Sequence, residues 1–261
     1  MFKLNFLIAL TVVVASAALA EEAATNASNQ ANNPLQPSIM LNVNDYYIPS
    51  LYGLPDRDAN IALVRGLVPH LAFDHPQLLR FTLPINTTPT FPNGHDSGLG
   101  DLTIFNMALF QNKRHGLAWG VGPVLTAPTA SEDSLGTGKW QGGASGAVVA
   151  VRSWGLAGAL VIAQDSFAGD DDRRDAGSAT VQPIVFYNLP HGAYLRSTGI
   201  WSFDLHSDDY YVPVGLGVGK VWSMAPKVQV NGFVEPQFTV LHEGIAPHWQ
   251  LYVGFNVQYL L

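Results

Sequence analysis

Trp249-Gln250-Leu251-Tyr252-Val253-Gly254-Phe255-Asn256-Val257-Gln258-Tyr259-Leu260-Leu261 is the stretch that decides the fold. Its odd positions hold Trp, Leu, Val, Phe, Val, Tyr and Leu; its even positions hold Gln, Tyr, Gly, Asn, Gln and Leu. Side chains of a strand alternate between two faces, so one face is wholly apolar and the other mostly polar or small. A soluble sheet would turn the apolar face to a core, and a membrane barrel would turn it to lipid. Aromatics stand near both ends of that face, at Trp249 and Tyr259. Their spacing matches a membrane-crossing strand of about 9–11 residues with an aromatic girdle at each interface. The last strand of a soluble β-sandwich remains the alternative on this stretch alone.

Outward from this strand, the rest of the chain narrows the choice. Residues 1–20 carry Lys3, an apolar run from Phe6 to Val14, and Ala18-Leu19-Ala20 before Glu21-Glu22. This pattern predicts a secretory signal peptide rather than a membrane helix. Residues 21–38 are rich in Ala, Asn, Gln and Glu and have no period. They read as a disordered, flexible periplasmic tail, with lining or plugging of the lumen as the weaker alternative. The 261 residues include no cysteine, which suits a barrel that crosses the periplasm unfolded but also many soluble exported proteins. The formal net charge is −7 and no basic run is present, so nucleic acid is not an expected partner.

From Ile39 onward no helical period exceeds two turns. Twelve β-type runs are separated by Gly, Pro, Asn and Asp clusters. They lie near 39–50, 58–72, 77–86, 98–110, 115–127, 138–151, 154–167, 178–188, 192–204, 209–222, 227–240 and 248–260. Leu117, Trp119, Val121, Pro123 and Leu125 share one face, with Gly120 and Gly122 opposite. Val228, Val230, Val234, Phe238 and Val240 oppose Gln229, Asn231, Glu235, Gln237 and Thr239. Leu79, Phe81, Leu83 and Ile85 oppose Arg80 and Thr82, and Val212, Val214, Leu216 and Val218 oppose Gly215 and Gly217. The runs near 58–72, 98–110 and 154–167 alternate poorly, and their faces are not assignable.

Connections alternate in length. The longer ones include 86–97, 127–137 and 167–177; the shorter ones include 73–76, 111–114, 152–153, 188–191 and 223–226. Short periplasmic turns and longer outer loops give an up-and-down barrel this rhythm, and a Greek-key sandwich has no reason for it. In hydrocarbon every backbone N–H and C=O needs a partner, which leaves helices or a closed sheet. The expected architecture is an all-β, transmembrane, up-and-down antiparallel β-barrel of about twelve strands over residues 39–261, in the outer membrane of a Gram-negative bacterium. The closing strand should pair with both its predecessor and the first strand. Inward glycines, Gly120, Gly122, Gly215 and Gly217, would leave lumen room or let the sheet curve.

Several patterns that resemble catalytic or binding motifs lack the required context. Gly136-Thr137-Gly138-Lys139 lacks the spacing of a phosphate loop, and Gly215-Leu216-Gly217-Val218-Gly219 lacks the dinucleotide order. Asp170-Asp171-Asp172-Arg173-Arg174 reads as solvated surface charge, with divalent-ion binding as the alternative. The eight histidines form no H-x-x-x-H pair, so no metal or cofactor is expected. A Ser–His hydrolase dyad, for example Ser202 with His206 or Ser145 with a distant histidine, has nothing to select it. By parity, Arg80, Gln229, Glu235, Gln237, Gln250 and Asn256 should line the lumen, with Arg196, Asp101 and Asp165 as further candidates. Such charges either plug a barrel or set a channel's electrostatics. Trp249, Tyr259 and Trp119 should lie at the membrane interfaces.

The residues also carry a family resemblance. Ser97-Gly98-Leu99-Gly100-Asp101-Leu102, Trp119-Gly120-Val121-Gly122-Pro123, Leu135-Gly136-Thr137-Gly138-Lys139-Trp140, Phe167-Ala168-Gly169-Asp170, Tyr187-Asn188-Leu189-Pro190 and Val212-Pro213-Val214-Gly215 occur in order. This is similar to bacterial proteins related to the family associated with the meta-pathway of phenol degradation, whose relatives are often mislabelled "neuromedin U". The resemblance implies a transporter-like outer-membrane barrel with no established enzyme activity, linked in part of the family to aromatic or hydrophobic compounds. The sequence-based expectation is therefore a passive channel or transporter for small molecules. A plugged structural or surface-interaction barrel and a membrane-embedded hydrolase are the alternatives. Expected partners are outer-membrane lipid, the small-molecule solute and the barrel-assembly machinery, for which Tyr259 would supply the terminal aromatic.

Overall fold

The computed structural model describes residues 21–261; the expected signal peptide at 1–20 lies outside them. Twelve antiparallel strands form one closed sheet. They are β1 (Ser38–Tyr52), β2 (Ala59–Ala72), β3 (His75–Pro89), β4 (His95–Leu99 and Leu102–Asn112), β5 (Leu117–Ala127), β6 (Lys139–Arg152), β7 (Gly155–Gly169), β8 (Gly177–Asn188), β9 (Ala193–Ser197 and Trp201–Asp204), β10 (Tyr210–Gly215 and Gly217–Ala225), β11 (Val228–Glu243) and β12 (Ala246–Leu260). Each pairs with its sequence neighbours. Closure comes where β12 also pairs with β1, from Ser38↔Leu260 through Tyr46↔Tyr252. Across its other edge, β12 pairs with β11 from Val228↔Tyr259 to Phe238↔Trp249. The expected twelve-strand barrel and the double pairing of its closing strand are thus present.

Alternation along β12 sorts its side chains as its sequence requires. Gln250, Tyr252 and Gln258 are buried inside, while Phe255 and Tyr259 are exposed outside. The same parity puts Leu41, Val43, Phe81, Trp119, Val121, Val214, Val218 and Phe238 on the outer surface. Aromatic pairs gather toward the two ends of that surface. Phe110 stacks on Trp119, with centroids 4.0 Å apart, at the end with the short turns. Phe238 and Trp249 lie 6.4 Å apart toward the end with the longer loops.

Residues 21–32 depart from the expected flexible tail: they are helical. Ser28, Asn29, Asn32 and the following Leu35 are buried. An isolated helix this short is marginal in water, so the surrounding wall must stabilise it. Twelve strands spaced about 4.8 Å apart and tilted about 40° give a backbone radius of about 12 Å. Side chains reaching inward about 6 Å leave a bore near 12 Å, the width of one α-helix. The segment therefore fits the barrel as a plug.

Its apolar side explains the three runs without alternation. Ala27, Ala31 and Leu35 pack with Leu67, Phe105, Met107, Leu109, Leu156 and Leu160, which are inward residues of β2, β4 and β7. Those strands meet an apolar partner inside as well as an apolar surround outside, so both faces are hydrophobic.

Candidate functional site

The lumen has three levels. At the turn end, polar side chains hold the helix. Asn231 Nδ2 donates to Asn32 Oδ1 at 2.9 Å, Asn188 Nδ2 to Asn29 Oδ1 at 2.9 Å, and Asn29 Nδ2 to the Arg152 carbonyl at 3.2 Å. Gln229 Nε2 reaches Gln30 Oε1 at 3.4 Å. Gln258 Nε2 ties β12 to Ser38 Oγ at 2.7 Å, just past the plug.

Above the plug lies a cavity of about 110 Å³. Arg65, Arg80 and Arg196 all line it, with Tyr252, Phe186 and Phe233. Tyr252 organises the group. It stacks on Tyr46 at 4.1 Å with planes 4° apart, and Phe233 meets it edge-on at 4.9 Å. Arg65 Nη1 donates to Tyr252 Oη at 3.2 Å and to Asn44 Oδ1 at 3.2 Å. Arg196 Cζ lies 3.4 Å from the Phe233 ring centroid, a desolvated cation–π contact.

Glu235 anchors the wall beside this cavity. Its carboxylate accepts from Arg196 Nε at 2.7 Å, Thr198 Oγ1 at 2.8 Å, the Thr198 backbone N–H at 2.8 Å and Gln237 Nε2 at 2.9 Å. Gln250 Nε2 extends the chain to Gln237 Oε1 at 2.6 Å. The two halves of β9 and β10 keep one register, Arg196↔Gly217 and Ser202↔Tyr211, with no ladder pairs between. Pro213 has no N–H to give there, and Glu235 takes the Thr198 N–H instead. Gly215 and Gly217 are the glycines that make room: a Cβ on either would come within 2.8 Å of Glu235 atoms. The space they leave is filled by this side chain rather than left open.

At the loop end, residues 128–138 fold into the mouth. Asp101 accepts from the Thr137 N–H at 2.7 Å, Thr137 Oγ1 at 2.9 Å and the Ala130 N–H at 3.2 Å. Leu135 is buried, and its carbonyl accepts from Asn86 Nδ2 at 3.0 Å. Arg173 Nη2 donates to the Asp133 carbonyl at 2.8 Å, tying the next loop on. A vestibule of about 500 Å³ remains beside Asp101, Gln141, Gln164 and Asp204.

The sequence-predicted positions fall as follows. Gln229, Glu235, Gln237 and Gln250 have buried side chains within the barrel. Asn256 Oδ1 accepts from Asn44 Nδ2 at 3.1 Å inside the lumen, and Arg80 lines the central cavity. Arg196 belongs to that cavity too, and Asp101 to the mouth. Asp165 does not face inward. Its neighbour Gln164 bonds to Thr126 and Gln141 inside, which turns Asp165 outward to His206 Nε2 at 2.7 Å. That bond also occupies the histidine proposed to pair with Ser202. Ser145 Oγ donates to the Gly122 carbonyl at 3.0 Å instead of meeting a histidine. Among the described residues no group of three His, Asp or Glu could hold a metal ion. Arg65 and Tyr252 were not picked out by sequence. Arg65 sits in a strand without alternation, and Tyr252 sits on the face that reads as polar.

No family model matches the chain, and no curated protein matches it. Among solved structures, an outer membrane channel from Pseudomonas putida F1 superposes with TM-score 0.64 at 17% identity, over 87% of this chain and 98% of that one. The KdgM porin in complex with disordered oligogalacturonate matches at TM-score 0.41 and 10% identity, over 85% of this chain and 99% of that one. The fold is that of an outer-membrane β-barrel.

Proposed function

We propose that the chain is an outer-membrane channel for small organic solutes, closed at rest by the helix at 21–32. The observation that carries this reading is the seat of that helix: a bore about one helix wide, bridged by Asn–Asn and Gln–Gln bonds. Side-chain amide bonds contribute only about 1 kcal/mol each and exchange readily with water. Against the apolar wall the helix itself sets only Ala27 and Ala31, with Leu35 following it. The exposed band supports membrane insertion. Trp249 and Tyr259 are ten residues apart on one strand face; at about 3.3 Å rise and about 40° tilt they span about 25 Å, the height of an outer-membrane apolar band. Trp119 joins the same girdle as Tyr259. Lipid, the assembly machinery and a solute are then the partners. Aromatic walls at Phe186, Phe233 and Tyr252, with the resemblance to phenol-pathway proteins, favour aromatic or hydrophobic solutes.

Planar-bilayer recording tests it. The full chain should show brief, infrequent steps, and Asn231→Ala should open more often. Deletion of residues 21–32 should give a persistently larger conductance. No steps from either the full chain or the deletion variant, both folded by heat-modifiable gel migration, would leave the plugged structural barrel as the reading.

A further inference from the structure

The central cavity carries more positive charge than its neighbours neutralise. Arg65 and Arg80 are diagonal neighbours across the β2–β3 ladder, where Arg65 opposes Thr82 and Arg80 opposes Leu67. Among the described residues neither guanidinium meets a carboxylate. Arg65 gives Nη1 to Asn44 and Tyr252, and its buried Nε has no partner. Arg80 makes only a cation–π contact, with Cζ 5.7 Å from the Phe105 ring. The single nearby carboxylate, Glu235, is committed to Arg196 and Thr198. Three guanidiniums against one carboxylate leave an excess of two positive charges around this cavity.

Two inward arginines without counter-ions are costly unless something anionic occupies the space between them. The rest of the lining mixes amides, such as Asn42, Gln182 and Asn256, with a patch of apolar and aromatic side chains, including Leu67, Phe186, Phe233 and Tyr252. A water takes about 10–15 Å³ of such space, so a cavity of about 110 Å³ holds on the order of nine non-hydrogen atoms. We propose that this cavity is a binding site for an organic monoanion, a carboxylate carrying a small apolar body. The carboxylate would accept from the Arg65 and Arg80 guanidiniums that line the cavity, and the body would lie against Tyr252 and Phe233. Arginine suits this role because its planar fork matches a carboxylate. The site deepens the channel reading, and it would make the open pore select anions.

Equilibrium dialysis of the full chain, folded in a nonionic detergent, tests the site without needing conductance. The probes are labelled benzoate, octanoate and the neutral benzyl alcohol. Benzoate or octanoate should bind, benzyl alcohol at least tenfold more weakly. The preference between the two anions identifies an aromatic or an acyl body. Arg80→Gln and Arg65→Gln should each weaken anion binding about tenfold to a hundredfold. Because neither residue has a carboxylate partner, both variants should keep the heat-modifiable gel shift of the folded barrel. Arg80→Lys should recover part of the affinity. Equal binding of benzoate and benzyl alcohol, or anion binding unchanged in both glutamine variants, overturns the site. Arginine-dependent binding without bilayer current keeps the site and removes the channel. Current without such binding does the reverse.

Discussion

Replacing Glu235 by Gln changes one atom pair and removes one charge from the most enclosed ion pair of the barrel. The carboxylate is fully buried, the Arg196 side chain is 6% exposed, and they meet at 2.7 Å. Charge centres about 4 Å apart attract by about 4 kcal/mol at an effective dielectric of about 20. Removing one partner of a buried pair costs about 3–5 kcal/mol, because the other charge stays buried without compensation. Two features shift that figure in opposite directions. The Phe233 face, 3.4 Å from the guanidinium, keeps about 2 kcal/mol of cation–π attraction. Against this, the glutamine N–H₂ must replace either Oε1, which accepts from the Thr198 N–H and Gln237 Nε2, or Oε2, which accepts from Thr198 Oγ1 and Arg196 Nε, and so faces donors in either flip. The expected net loss for Glu235→Gln is about 3 kcal/mol. Urea unfolding of vesicle-folded protein, followed by tryptophan fluorescence, measures it. The double variant with Arg196→Gln should lose less than the sum of the single variants, since each removal strands the other group. A single-variant loss below about 1 kcal/mol, or strict additivity, would show that Glu235 is not the strut that closes the β9–β10 gap.

Two other perturbations probe the wall and the rim. Gly217→Ala would place a Cβ 2.4 Å from the Val234 carbonyl and 2.6 Å from Glu235 Cβ, so a loss of about 1–3 kcal/mol is expected, whereas Gly146→Ala, whose nearest atom is 3.9 Å away, should change stability by less than about 0.5 kcal/mol in the same urea assay. At the rim, the hydrogen bond that His206 donates to Asp165, with help from Asp175 and Asp204, raises the His206 imidazole above its usual pKa. A raised folded-state pKa means the contact contributes in full below about pH 6.5 and is lost as pH rises through the raised value. Amide exchange in residues 205–209, corrected for intrinsic rate, should therefore speed up at high pH, and Asp165→Asn should flatten that dependence.

Legibility of the fold from sequence followed a physical boundary. The outer surface was readable because every strand must present apolar side chains there, whatever lies inside. Period two in β11 and β12 comes from that single requirement combined with a polar interior, as at Gln229, Glu235 and Gln250, and in β5 from small inward residues, Ala118, Gly120 and Gly122. Where the interior is also apolar, period two vanishes, and Leu156, Leu160, Met107 and Leu109 gave no face to Gly155–Gly169 or Leu102–Asn112. That loss hid Arg65, since an arginine in a strand of unassigned faces has no stated direction. Asp165 was misplaced for the same reason.

The plug was hidden by a different cause. Low hydrophobicity predicts disorder only if burial has to be driven by apolar area. Residues 21–32 escape that premise because the barrel wall supplies complementary amides as well as apolar contacts. Asn29, Gln30 and Asn32 find Asn188, Gln229 and Asn231, and the alanines between them fit the apolar wall. Alanine has the highest intrinsic helix propensity and asparagine a poor one, so the segment folds where the wall satisfies its amides. The signal that could have found it was the amide pairing itself: Asn and Gln recur in the N-terminal segment and at the inward turn-end positions of β8, β11 and β12. The same match limits what holds the plug shut. Its amides can pair with water almost as well as with the wall, so on the proposed channel reading the amide part of the closure is reversible and the apolar contacts of Ala27, Ala31 and Leu35 set the rest.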